Sequence, residues 1–335
     1  SRFGRLASVA LAAGELALGG LAEGVRRLAA GGGPAAAGSA TVFLSADNAR
    51  RLAARRARLR GGAMKLGQMI SLQGSDLLPP EFAQALAILR SQAAPMPLAQ
   101  LRRVLGREYG KRWQRRFAWF DEAPIAAASI GQVHRARTLD GRDLALKIQY
   151  PGVARSIASD VDNIAAVLRL MKVLPGDADI PAIAAEAARQ LVQEADYLAE
   201  AASLERYAKL VADEPGLLVP RTHAALTTPR ILAMDFMAGE PLETLADPAV
   251  AQATRDAVGT LLERLMFREL FEFRTMQTDP NFANYLWQPD TGKVVLLDFG
   301  ATMCFDAAFV DAYARITRAV IGGDRDAVAR RAIYL

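Results

Sequence analysis

Four polar side chains constrain this chain of 335 residues more tightly than its composition does. Lys147 closes the strand-like run Leu144-Ala145-Leu146-Lys147. Asp279 precedes Asn284 by five residues, and Asp298 leaves the apolar run Val294-Val295-Leu296-Leu297 and is followed by Phe299-Gly300. Phosphoryl transfer needs a cation on nucleotide phosphates, a carboxylate near the nucleophile and two oxygen ligands for magnesium. The four residues supply those roles in that order. Singly, each has a plain reading, since a lysine ending a strand is ordinarily a surface residue and an aspartate leaving a strand suits a turn. The conjunction is what is specific.

The hydrophobic pattern places these residues on definite elements. Ser1 to Ala30 reads as an Ala/Gly-rich helix before the linker Gly31-Gly32-Gly33-Pro34, and helical pattern resumes near Ser45. Phe82, Leu86 and Leu89 share one helical face, and after Pro95-Met96-Pro97 a helix carries Leu101, Leu105, Tyr109 and Trp113 at four-residue steps. Strands begin near Trp119, and Asp140-Gly141 signals a hairpin whose return strand ends at Lys147. Helices are expected over Ser159 to Val173 and over Ile183 to Leu210, the second a single long helix carrying Glu194, Asp196 and Glu200. Arg230 to Asp235 reads as a buried strand, and Pro248 to Arg274 as helix. Two short strands then flank the loop from Asp279 to Asn284 and deliver Asp298. The Met, Phe and Trp residues between Met266 and Trp287 are expected in the core.

Composition bounds the chemistry. With 52% hydrophobic and 23% charged residues the chain is globular and long enough for two cores. One cysteine, Cys304, excludes a disulfide scaffold and a multi-cysteine zinc site. His134 and His223 leave little room for histidine metal or triad chemistry, and both are expected in strand packing or at the surface. The net charge of +5 is concentrated early, in Arg50, Arg51, Arg55, Arg56, Arg58 and Arg60 and again in Arg102, Arg103, Arg107, Lys111, Arg112, Arg115 and Arg116. Such runs fit a solvated helix face or an anionic membrane surface, and no aromatic interleaving or motif favours nucleic acid. Val9 to Ala30 comes nearest to a spanning helix, but Glu15, Glu23, Arg26 and Arg27 interrupt it.

A strand-rich lobe followed by a helical one is the protein-kinase arrangement, yet two features depart from it. Gln277-Thr278 stands where an ordinary kinase has a histidine-arginine pair, and the phosphate-covering loop is Ala126-Ala127-Ala128-Ser129-Ile130-Gly131 rather than glycine-rich. With Lys65-Leu66-Gly67-Gln68, Glu194-Ala195-Asp196, Gln277-Thr278-Asp279-Pro280-Asn281 through Asn284, and Asp298-Phe299-Gly300, these departures form an ordered set. On that set the chain resembles the UbiB/ADCK family of atypical kinases, in its mitochondrial-type branch. The match runs from about Ala63 to Thr302.

The resemblance implies an α+β, two-lobed protein-kinase-like fold with an all-α N-terminal extension packed over the active site. Residues 1–116 would form the extension, 117–237 the N-lobe and 238–335 a truncated C-lobe. Lys147 would contact the nucleotide phosphates and pair with Glu200, while Ala126, Ala127, Ala128, Ser129, Met234, Asp235 and Met237 would line the nucleotide site. Asn284 and Asp298 would bind the metal, and Asp279 would hold the catalytic-base position. Lys65 and Gln68 would face Glu194 and Asp196 and occlude protein substrates. The implied cofactors are ATP (or ADP) and Mg2+. The implied role is ubiquinone biosynthesis, with an anionic membrane surface, quinone-precursor lipids and other quinone-biosynthesis proteins as partners. Nucleic acid is not expected, and a homodimer is compatible. The implied location is the cytoplasmic side of a bacterial inner membrane, or the mitochondrial matrix face. The alternative reading is a nucleotide-gated, pseudokinase-like scaffold for the quinone-biosynthetic enzymes.

Overall fold

A computed structural model describes residues 95–155, 157, 161, 162, 165, 180–279 and 281–332. The chain divides into two compact units, one comprising Ser1–Arg135 with Lys147–Ala195 and the other Ala136–Leu146 with Asp196–Leu335. Lys65 and Gln68 lie outside the described residues, as does most of the helix expected over Ser159 to Val173.

In the first unit, helix α1 (Leu98–Glu108) starts directly after Pro97, whose fixed φ suits a helix entry. Leu101, Val104 and Leu105 form its buried stripe, and Tyr109 and Trp113 continue the inward face past the helix end. Gly110 takes φ +88°, which turns the chain into a short 3-10 turn at Trp113–Arg116 and then strand β1 (Phe117–Phe120). Tyr109, Trp113, Phe117 and Phe120 pack ring against ring, with centroids 5.1–5.9 Å apart.

Strand β2 (Ala126–Ala127) pairs antiparallel with β3 (Gly131–Thr138), and β4 (Asp143–Gln149) returns after the turn at Asp140-Gly141. Gly141 sits at φ +87°, and Thr138 N–H donates to the Arg142 carbonyl at 2.9 Å, which closes the hairpin as its sequence predicts. With β6 (Ile231–Asp235) these strands make a five-stranded sheet in the order β1-β3-β4-β6, β2 lying on β3.

Phe120 stacks on His134 at 5.4 Å, and His134 is fully buried. Gln132 fixes its tautomer. The Gln132 Oε1 accepts from the Met96 N–H at 2.7 Å, so its Nε2 must donate to His134 Nε2, 2.7 Å away. His134 Nδ1–H then donates to the Asp121 carbonyl at 2.8 Å. Burial pushes this imidazole below its usual pKa and keeps it neutral. The expectation of a packing role for His134 is met.

The single long helix expected over Ile183 to Leu210 is two helices. Helix α2 spans Ile180–Glu194 and α3 spans Tyr197–Leu210. Asp196 leaves helical geometry to cap α3, its Oδ1 accepting from the Ala199 N–H at 3.0 Å. Glu194 and Glu200 therefore lie on different helices, with Asp196 between them as the cap.

The second unit continues with β5 (Leu217–Leu218), β6, β7 (Glu240–Pro241) and α4 (Gln252–Phe271). Strands β8 (Thr275–Gln277), β9 (Tyr285–Gln288), β10 (Lys293–Leu296) and β11 (Thr302–Cys304) follow, then helices α5 (Ala307–Ile321) and α6 (Arg325–Ala332). One sheet runs β5-β10-β9-β7, and β8 pairs antiparallel with β11. The expectation of a uniform core from Met266 to Trp287 fails, because Met266, Phe267 and Phe282 are 46%, 44% and 59% exposed. On α4 the buried stripe is Val258, Leu265 and Glu269, so Met266 and Phe267 fall on its other side. Among the described residues no helix is long and apolar enough to cross a membrane.

Gly131, at the root of β3, lies directly against the backbone of β4. A Cβ there would collide with the Ile148 carbonyl oxygen, a backbone atom that cannot rotate away. Gly131→Ala is expected to cost about 1–3 kcal/mol through forced strand displacement. Urea unfolding of the variant beside wild type measures it, and an unchanged midpoint would refute the close approach.

Candidate active site

The residues expected to cover a nucleotide lie in the first unit. The Ala128 N–H donates to the Gly131 carbonyl at 3.0 Å, so residues 128–131 make a tight turn between β2 and β3. Ala126 and Ala127 are exposed, and Ala128 and Ser129 are half-buried. The Ser129 hydroxyl donates to Glu194 Oε2 at 2.6 Å, which straps the loop to the end of α2. Gln149 Nε2 donates to the Ala195 carbonyl at 2.7 Å and holds the same helix end against β4. Lys147, inside β4, is only 7% exposed, so its ammonium is held where a counter-charge or phosphate matters.

Glu200 belongs to the second unit, in the first turn of α3, and is 2% exposed. Met234 is buried on β6, and Asp235 and Met237 are half-buried where that strand ends. The Asp235 carboxylate is engaged by His223 Nε2 at 2.7 Å, so the side chain of Asp235 is committed to holding the strand.

Asp279, Asn284 and Asp298 come together in the second unit. Asn284 ends a 3-10 turn, Phe282–Asn284, that Asn281 caps by accepting from the Ala283 N–H at 3.1 Å. The Asn284 Nδ2 donates to the Asp279 carbonyl at 3.2 Å, which aims its Oδ1 the other way. Asn284 directly precedes β9, and Asp298 follows β10 by two residues; Tyr285 pairs with Leu296, so both side chains leave one end of the β9–β10 ladder. The Leu297 N–H donates to the Asn284 carbonyl at 2.9 Å and joins the two segments. The Gly300 N–H binds Asp298 Oδ1 at 2.9 Å, orienting the carboxylate. Thr278 N–H and Oγ1–H both donate to the Ala301 carbonyl, at 3.1 and 2.6 Å.

Two buried groups beneath this loop escaped the sequence reading. Glu269 on α4 is 6% exposed and is bonded by the Tyr207 hydroxyl and by the Gln277 main-chain N–H. The Tyr207 hydroxyl also reaches the Thr275 carbonyl at 3.2 Å, and its ring lies 4.5 Å from Phe299. Burial outweighs both bonds and raises the Glu269 carboxyl to about 7. Burial likewise raises Tyr285 to about 12 and the Tyr207 phenol far above its usual range, the Glu269 charge adding to each. The signal for Glu269 was available: it follows Leu265 by four positions on the buried stripe of α4.

Residues 88–332 match the model of the ABC1 atypical kinase-like domain, which is most of the chain. The chain belongs to this family. Within the ABC1 atypical kinases it is similar to the rat mitochondrial atypical kinase COQ8B, 42% identical over 99% of this chain and 62% of that protein. It is also similar to the mitochondrial atypical kinase COQ8 of Saccharomyces cerevisiae, 34% identical over the whole chain and 66% of that protein. The chain thus spans about two thirds or less of these relatives' lengths. Among solved structures, the erythromycin complex of Rv3197 from Mycobacterium tuberculosis is 32% identical, with a TM-score of 0.58, covering 82% of this chain and 69% of that one. The kinase-like mixture of helix and sheet expected for an ABC1 family member is therefore what the chain adopts.

Glu269 makes the stability of this family member pH-dependent in a defined sense. Its folded pKa of about 7 lies above the ordinary 4.5, so the folded state keeps a proton that the unfolded chain releases. Stability is then fully present below 4.5 and falls as pH rises through about 7, by on the order of 3 kcal/mol. Glu269→Gln, which cannot ionise, should flatten that decline in melting temperature, read by thermal unfolding across the interval. A variant with an unchanged slope would contradict the assignment.

Proposed function

We propose that the chain binds Mg-ATP and either hydrolyses it or moves its γ-phosphoryl group to a small or lipid-like acceptor, in support of ubiquinone biosynthesis at a membrane. The observation that carries this reading is the junction of Asp279, Asn284 and Asp298 at one end of the β9–β10 ladder. Magnesium takes oxygen ligands and is typically held by one or two side chains plus phosphate oxygens and water. The Asn284 Oδ1, aimed by its Nδ2 bond, and the Asp298 carboxylate fit that requirement. When bound, magnesium supplies charge neutralisation on the phosphates.

In this reading Lys147 binds the nucleotide phosphates, with Glu200 as its counter-charge. Ala126, Ala127, Ala128 and Ser129 cover the phosphates, the Glu194 strap fixing where their methyl groups stand. Met234, Asp235 and Met237 line the base. Asp279 orients the nucleophile and takes its proton. Residues 117–237 act as the nucleotide lobe and 238–335 as the catalytic lobe, and Lys65 and Gln68 within 1–116, with Glu194 and Asp196, keep large protein substrates out.

A membrane partner is favoured by the exposed basic residues of the first unit. Arg102, Arg103, Arg107, Lys111, Arg112, Arg115 and Arg116 are all exposed, Arg102 pairing with Glu122, and Trp119 is 46% exposed nearby in sequence. Quinone-precursor lipids, other quinone-biosynthesis proteins and a membrane-peripheral location follow from the same reading and from the likeness to the mitochondrial COQ8 kinases.

Phosphate release from Mg-ATP, with and without anionic liposomes, tests the proposal. Asp279→Asn should lower turnover by about 100-fold or more while nucleotide still shifts the melting temperature. Wild-type turnover in that variant would sink the enzyme reading, and nucleotide binding without any turnover in the wild-type chain would favour the nucleotide-gated scaffold.

A further inference from the structure

We propose that Gln277 is a positioning residue of the phosphoryl-transfer site, its side-chain amide setting Asp279 and Asp298 relative to one another. This inference rests on the function proposed above for those two carboxylates. The geometry is that of a clamp. Gln277 Oε1 accepts from the Asp279 main-chain N–H at 2.6 Å, and Gln277 Nε2 donates to the Asp298 main-chain carbonyl at 3.3 Å. One amide group therefore holds the backbones of both residues, which are distant in sequence.

The clamp is itself seated. Gln277 is the last residue of β8, opposite Thr302 of β11, and is 9% exposed. Its main-chain N–H bonds Glu269, and two residues earlier the Thr275 carbonyl is within reach of the Tyr207 hydroxyl. The side chain thus projects from a strand fixed on two sides, and its amide cannot drift without breaking buried hydrogen bonds. Thr278, next in the chain, is tied to Ala301 and closes the loop on its other flank.

The position asks for one donor and one acceptor on a short arm. Glutamine has both. Glutamate keeps the acceptor for the Asp279 N–H but sets an oxygen against the Asp298 carbonyl, and leucine fills similar volume with neither. Histidine, the residue in this place in ordinary kinases, has a donor and an acceptor on one ring, so the departure from histidine preserves the bonding capacity. The clamp grips the backbone of both residues and engages neither carboxylate itself. Its loss should therefore appear in turnover and leave nucleotide affinity nearly intact.

The experiment compares wild type, Gln277→Leu, Gln277→Glu and Gln277→His in two assays. Amide hydrogen exchange reads the clamp without catalysis. In Gln277→Leu and Gln277→Glu the Asp298 segment should exchange about tenfold faster, and in Gln277→Leu the Asp279 segment as well, while β6 stays at the wild-type rate. Mg-ATP turnover reads its consequence. Gln277→Leu should lose about 10- to 100-fold in kcat with KM for ATP within about threefold, and Gln277→His should recover most of the loss. Unchanged exchange in both segments, or equal kcat in all four proteins, overturns the inference. Faster exchange in a wild-type background that shows no turnover would support the clamp and sink the proposed function instead. Exchange that rises throughout the unit, including β6, would mean a general packing role and would also overturn it.

Discussion

Beneath the loop that carries Asp279, a carboxyl group is held out of water between a phenol and the main chain of β8. An ionised carboxylate there is costly, and burial raises the Glu269 carboxyl to about 7, so it keeps its proton through the mildly acid range. The result is a hydrogen-bonded seam in which Glu269, Tyr207 and the Thr275 to Gln277 backbone fix one another. Tyr207 also packs on Phe299, so one side chain touches both strand β8 and the segment that carries Asp298. Placement of Asp279 and Asp298 is in this sense set a layer below them. Substitutions in the seam would shift these carboxylates without touching either one.

Much of this was legible in the sequence where local physics and global packing agree. The four-residue spacing of Leu101, Leu105, Tyr109 and Trp113 reported a buried face that the structure keeps even past the end of α1. Asp140-Gly141 gave its hairpin because the required positive φ is cheap at glycine. The ends of the β9 and β10 runs placed Asn284 and Asp298 correctly, since a paired ladder fixes where its flanking residues emerge.

Other features were not legible, for identifiable reasons. The break between α2 and α3 is made by a side chain competing for a backbone N–H at Asp196, inside an alanine-rich stretch with no glycine or proline to mark it. Hydrophobicity alone could not say that Phe267 and Phe282 face outward, because exposure depends on what packs against each element. Glu194 was assigned to partners in the N-terminal extension, yet it also receives the Ser129 hydroxyl at 2.6 Å. A loop made largely of alanines is held by a serine and a carboxylate far apart in sequence. Gln277 was visible as a departure, but only its two-sided bonding gives the departure a purpose.

The buried imidazole of the first unit gains meaning when set beside the buried carboxyl of the second. Burial shifts both His134 and Glu269 toward their uncharged forms, but for the histidine this means a proton refused and for the glutamate a proton kept. Acid therefore pulls in opposite directions on the two. As pH falls below the ordinary histidine value of 6.5, the unfolded chain takes up a proton that folded His134 resists, which works against the folded state. Over an overlapping interval folded Glu269 takes up a proton that the unfolded chain binds less readily, which works for it. A mildly acid shift is thus met by two buried groups whose contributions oppose and partly cancel one another.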